Sequence, residues 1–141
     1  MCNDYYRPKP NYTPCPYVAN VSGMAMKNTD FRREMWTGCY AQMMIMCIPV
    51  GSDIGLEIHE KTDQMIRIEQ GMALVKMGEC KKQLDYQARA CTGDVIFVPA
   101  GIWHNIINIG RNALKISSIY GPPHHPVGTI HHTKKDVEKT H

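Results

Sequence analysis

One stretch restricts this chain more than any other: Gly93-Asp94-Val95-Ile96-Phe97-Val98-Pro99-Ala100-Gly101-Ile102-Trp103-His104-Asn105-Ile106-Ile107-Asn108. Val95 to Val98 is a β-branched and aromatic run, Pro99 suits the second position of a type I turn, and Gly101 suits the fourth. Ile102 to Asn108 then resumes a strand pattern. The segment reads as a β-hairpin with a single histidine just past its turn, and His104 reads as a metal ligand. Gly101 and Asn108 are expected to fix the turn that aims His104 inward.

Much of the remaining chain repeats the same two-residue period. Strands are expected over residues 40–48, 54–60, 64–69, 72–77 and 81–88, and again at 114–120 after a second hairpin at 108–112. Eight or nine short strands separated by Gly or Pro predict an all-β sandwich or barrel. Three regions follow: an extended arm over residues 1–39, a barrel over 40–120, and a Pro- and His-rich tail over 121–141. The arm carries Pro8, Pro10, Pro14 and Pro16, with Tyr5, Tyr6 and Tyr17 to bury against the barrel. A short helix or turn is expected from Asn28 to Met35. Gly121-Pro122-Pro123-His124-His125-Pro126 cannot continue an interior strand. Further on, Thr133 as N-cap, with Asp136 at the third helical position, predicts a helix of one or two turns.

A chain of 141 residues holds one domain with one core. The net charge of +3 is thinly spread with acidic residues interleaved, which argues against a nucleic-acid partner. Residues 1–10 are polar where a secretion signal needs an apolar segment, and the longest apolar run, 43–50, is too short to span a bilayer. A cytoplasmic protein without a membrane partner is the default. Six cysteines without a CxxC pair read as free thiols acting as small buried hydrophobes.

A second motif supplies partners for His104. Alternation puts Glu57 and His59 on one face of a strand, and Gln64 across the following turn converges on the same interior. One carboxylate, two imidazoles and one amide oxygen are competent ligands for a divalent ion. If Gln64 points inward, so do Ile66 and Ile68, while Met65, Arg67 and Glu69 point outward. The same rule turns Leu56 and Ile58 outward, where the tyrosine-rich arm or a second subunit would cover them, so a homodimer is expected.

These residues resemble the cupin family. Gly93, Pro99, Gly101, His104 and Asn108 match every fixed position of its second motif, G(x)5PxG(x)2H(x)3N. The first motif, G(x)5HxH(x)3-4E(x)6G, falls on Gly51, Glu57, His59, Gln64 and Gly71, so one usual ligand, His59, is unchanged. The resemblance implies a cupin double-stranded β-helix, or jelly-roll barrel, of the small bacterial conserved-barrel type sometimes labelled phosphomannose-isomerase-like. It implies a metal site of Glu57, His59, Gln64 and His104. Three imidazoles with one carboxylate leave a divalent ion at net +1, and so does the present set. Exchanging an imidazole for an amide oxygen hardens the site toward Zn, Mn or Fe(II).

Three functions compete. The first is a metal-dependent enzyme moving a proton on a small polar, sugar-like substrate, with Glu57 or Tyr120 as candidate catalytic residues. The second is an Fe(II) dioxygenase using His59, His104 and Glu57. The third is a non-catalytic module that binds a small molecule or metal. Trp36, Tyr40, Trp103 and Tyr120 either line a pocket or fill the core. The tail histidines His124, His125, His131, His132 and His141 form either a second metal site or lid, or exposed turns.

Overall fold

The computed structural model describes residues 13–139. Expectations for Cys2, Tyr5, Tyr6, Pro8, Pro10 and His141 lie outside those residues. The element order is α1 (Val21–Lys27), β1 (Arg32–Thr37), β2 (Gln42–Ile48), β3 (Asp63–Gln70), β4 (Met72–Gly78), β5 (Tyr86–Cys91), β6 (Val95–Val98), β7 (Trp103–Asn108), β8 (Leu114–Gly121), β9 (Ile130–His131) and α2 (Lys134–Lys139).

The strands form two antiparallel sheets, one ordered β6-β3-β8-β2-β1-β9 and the other β5-β4-β7. Their inner faces meet in one apolar core. Met46, Ile48, Ile66, Ile68, Leu114 and Ile116 from the larger sheet pack on Ala73, Val75, Met77, Ala90 and Ile106 from the smaller. β3 alternates as its sequence requires, with Gln64, Ile66 and Ile68 buried and Met65 and Arg67 exposed. This is the jelly-roll barrel expected of an all-β chain. Among the described residues no helix is long and apolar enough to cross a membrane.

Strand pattern and strand partner are separate matters here. β6 and β7 are not a hairpin: β6 pairs with β3, and β7 pairs with β4 in the other sheet. The loop between them is a corner, closed by Ile102 N–H donating to the Pro99 carbonyl (3.3 Å), with Gly101 at φ +82°. The left-handed backbone explains glycine at that corner. β7 and β8 also lie in different sheets, so the 109–113 connection is a crossover rather than a second hairpin.

Other expectations change as well. Residues 54–60 form no regular strand; they lie along β7 through single bridges, Asp53 to Ile107 and Glu57 to His104. Gln64 is therefore not across a hairpin from His59. The fifth strand begins at Tyr86 rather than 81. The helix expected at 28–35 is displaced: α1 ends at Lys27, Asn28 is its C-cap, and Arg32–Thr37 is β1. α1 contains Val21 and Gly23, both poor helix formers, so packing rather than propensity supports it. Asn20 Oδ1 caps it by accepting from Gly23 N–H (2.9 Å), and Ala25 seals a small outer core with Met35 and Ile45.

The five described cysteines are free, but four are exposed and Cys47 is half-buried, so they are not core hydrophobes. α2 matches its expected cap, with Asp136 Oδ2 accepting from Thr133 N–H at 3.1 Å.

Candidate metal centre

The barrel interior is apolar at one end and polar at the other. A single row across β2, β8 and β3 places Gln42 opposite Tyr120 and Tyr120 opposite Gln64, so three polar side chains share one level. From the smaller sheet, His104 on β7 enters the polar end fully buried. Glu57 and His104 exchange both backbone hydrogen bonds, each 2.9 Å. Their separation is thus set by main chain rather than by rotamers. His59 is tied to the second motif because its carbonyl accepts from Gly101 N–H (2.9 Å).

Glu57, His59 and His104 bring one ligand atom each within 4.8 Å of one another. His104 Nδ1 lies 3.0 Å from the Ile102 carbonyl, which fixes that nitrogen as the donor and leaves Nε2 a free lone pair. His104 Nε2 and both ring nitrogens of His59 are buried without a hydrogen-bond partner. His59 Nε2 stands 3.2 Å from Glu57 Oε2 without hydrogen-bond alignment. Two atoms about 2.0–2.2 Å from a common ion stand about 3–3.5 Å apart, so this contact has the spacing of co-ligands. The orphaned nitrogens, the fixed tautomer and the mixed donor set together fit a divalent cation.

Gln64 is buried at the same end. Its Nε2 donates to Ser118 Oγ (2.7 Å), while Oε1 is buried without a partner. Tyr120 is also buried, which pushes its phenol up to about 12 despite favourable contacts with Ser118 and Gln64.

One feature escapes a reading of the sequence, and a second bears on a reading the sequence leaves open. The first is Arg32 on β1, a buried guanidinium whose NH2 group lies 3.1 Å from Glu57 Oε1. Burial alone would raise the Glu57 pKa; contact with His59 and the charge of Arg32 outweigh it and hold the carboxyl at about 2. Arg32 also adds a unit of charge that the ligand count omits. Its place on β1 was hidden because residues 28–35 read as a helix.

The second feature is the tail. Gln42, itself buried, donates from Nε2 to the His125 carbonyl (2.8 Å) and accepts at Oε1 from the N–H groups of His124 (3.2 Å) and His125 (2.9 Å). This stretch, residues 124–129, forms a strap whose far side is held by Gly128 N–H donating to Glu34 Oε1 (3.1 Å). These contacts stand the His124 ring 4.1 Å from that of His59 and the His125 ring 5.1 Å from that of Tyr120. His124 and His125 are therefore placed against the site rather than left as free turn residues. Burial lowers the pKa of both rings, that of His125 to about 3.

The strap forms one wall of an open cavity of about 650 Å³ lined by Arg32, Glu57, His59, Trp103, His124 and His125, among others. Leu56 and Ile58 line it too, beside the strap, and Leu56 stays exposed. Of the four aromatics singled out, Tyr120 is in the polar end and Trp103 lines the mouth; Tyr40 is exposed, and Trp36 bonds the Cys15 carbonyl (2.8 Å).

Gln42→Ala orphans two N–H groups and one carbonyl of the strap, at an expected cost of about 2–4 kcal/mol. The measurement is urea unfolding together with amide exchange, and exchange should quicken at 124–129 ahead of the sheet.

Asn108 serves a different place from the one expected of it. Its Nδ2 donates to the carbonyls of Ile48 (3.0 Å) and Asn112 (2.9 Å), and its Oδ1 accepts from Gly110 N–H (2.9 Å). It anchors the far end of β7, while Gly101 acts at the site.

A jelly-roll barrel with an inward cluster of imidazoles and a carboxylate defines a β-barrel protein with a possible metal site. The Cupin_2 cupin-domain family matches residues 44–120, and the chain belongs to the cupin family. It is 48% identical over 127 residues to the uncharacterized protein YrkC of Bacillus subtilis, covering 90% of this chain and 68% of that one. It is 40% identical to the uncharacterized protein L612 of Acanthamoeba polyphaga mimivirus, covering 81% of this chain and 70% of that one. The crystal structure of BH2720 from Bacillus halodurans superposes with a TM-score of 0.90 at 44% identity, covering 92% of this chain and 98% of that one.

Proposed function

We propose that this cupin is a metal-dependent enzyme that moves a proton on a small polar, sugar-like molecule, the phosphomannose-isomerase-like reading of its sequence. The observation that carries the proposal is the cluster of Glu57, His59 and His104 with orphaned imidazole nitrogens, of which Glu57 and His59 line a cavity. These three residues would hold the ion, and Gln64 Oε1 is proposed as the fourth ligand. When bound, a Zn, Mn or Fe(II) ion polarises a carbonyl or hydroxyl. Glu57 is ionised at neutral pH, and it would accept a proton only where it is loosely ligated to the ion, since its low pKa makes it a weak base. Tyr120 stays protonated and suits a donor.

An Fe(II) dioxygenase is the second reading, favoured by one observation: the clustered groups are two histidines and one carboxylate. Metal analysis of the purified protein is expected to find about one divalent ion per chain. Protein that arrives metal-free and takes up none of Zn, Mn, Fe(II) or Co overturns both readings. Oxygen uptake with Fe(II) and a substrate panel selects the second, and turnover of an aldose or ketose selects the first.

We further propose a cytoplasmic homodimer. Met65 on β3 stands opposite Phe97 on the free edge strand β6, and both are exposed, as is Val95. Sedimentation velocity is expected to show a dimer that Phe97→Lys converts to monomer.

A further inference from the structure

The charge inside the cavity bears on what the proposed metal centre binds, and the following rests on that centre. Among the lining residues Glu57 is the sole carboxylate, and its charge is matched by Arg32 at 3.1 Å. The remaining polar lining is largely imidazole. A divalent ion on Glu57, His59 and His104 would therefore leave a net charge of +2 with no protein group to balance it. Charge taken out of water without a partner is costly, so such a cavity favours a negative occupant.

Donors for that occupant are already present. Arg32 is 2% exposed, and its Nε has no hydrogen-bond partner. His125 Nε2 is likewise buried without a partner on the same cavity wall. Leu56, Ile58, Val127 and Ile130 supply an apolar surface beside them. We infer that the site takes a small organic oxyanion, a carboxylate or phosphate ester, whose charge lies between the metal centre and the Arg32 and His125 donors and whose carbon skeleton rests on the apolar wall.

Anion and metal then favour each other's binding, because coupling between two sites is reciprocal. The test is titration of Co(II) into the metal-stripped full chain, alone and with malonate, inorganic phosphate or the neutral polyol erythritol, corrected for Co(II) held by each additive in solution. Malonate or phosphate is expected to tighten Co(II) binding at least about tenfold and to alter the visible Co(II) spectrum, and erythritol to do neither. An effect of malonate without phosphate assigns a carboxylate; the reverse assigns a phosphate ester. Arg32→Gln is expected to abolish most of the tightening.

Equal effects of erythritol and malonate, or Co(II) binding that neither anion changes, overturn the inference in the unaltered protein, whatever the folding of the variant. Retention of the full effect in a folded Arg32→Gln protein overturns it as well. Failure of Co(II) to bind under any condition is a different result, which removes the metal centre itself.

Discussion

His104→Ala is expected to lower affinity for Zn(II) or Co(II) by about 100-fold or more, since loss of an outer-shell group alone costs about 10- to 100-fold. The side chain is fully buried and its loss leaves a cavity, but it carries little of the polar bonding. Its ring makes one hydrogen bond, to the Ile102 carbonyl, while the backbone bonds to Glu57 belong to the main chain and survive the substitution. The barrel should therefore fold, and the loss should appear as metal affinity. His132→Ala is the control, because His132 pairs with Asp30 on the surface at 2.7 Å. It should leave affinity within about twofold. Competition with a chromophoric chelator measures both variants. Equal losses would mean that the ion, if any, sits elsewhere.

Arg32→Met should strongly destabilise the metal-free protein. It leaves the Glu57 carboxylate mostly buried without its cation. Breaking a buried pair costs about 3–5 kcal/mol; Glu57 keeps a fifth of its side-chain surface exposed, so about 2–4 kcal/mol is expected near pH 7. The pH dependence gives a second check. The folded Glu57 pKa of about 2 lies below the ordinary 4.5, so its stabilising contribution is complete above about pH 4.5 and lost as pH falls toward 2. Without Arg32 burial is opposed mainly by the His59 contact, so Glu57 protonates at a higher pH than in the parent, which relieves the unpaired charge. The difference between parent and variant in urea midpoint should therefore shrink between pH 7 and pH 4. A difference that is constant over that range would show that Arg32 acts through packing alone.

How far the chain could be read residue by residue follows from what each signal encodes. Alternation told which side of β3 is buried, because a period of two is local: Gln64, Ile66 and Ile68 face inward as expected. Pairing is not local. The run from Val95 to Asn108 looked like a hairpin, since strand propensity and a turn are all that sequence displays; that its halves join opposite sheets depends on which distant strands offer an edge. α1 and β1 were misread for a related reason. Gly23 is weak in a helix, and Arg32 and Arg33 give no strand signal, so packing on β2 decided both elements.

Within the candidate site, Glu57, His59 and His104 were legible through the cupin motif positions they occupy. Arg32 was not, because a buried cation on a distant strand has no local signature. The strap histidines were legible as residues of interest only. Their position depends on Gln42, whose three hydrogen bonds to the strap span more than 80 positions of sequence.

The backbone pair that joins Glu57 to His104 has a consequence for how such a centre can diverge. Whatever side chain occupies position 57 starts from the same point and heading, because the main chain positions it. An imidazole there would meet the ion with no rebuilding of the barrel, but it would also face Arg32, a cation with nothing left to neutralise. Positions 32 and 57 are thus expected to be exchanged as a unit among descendants of this scaffold, an acid accompanied by its arginine and an imidazole by an uncharged neighbour, and either half-step alone would pass through a poorly stable protein.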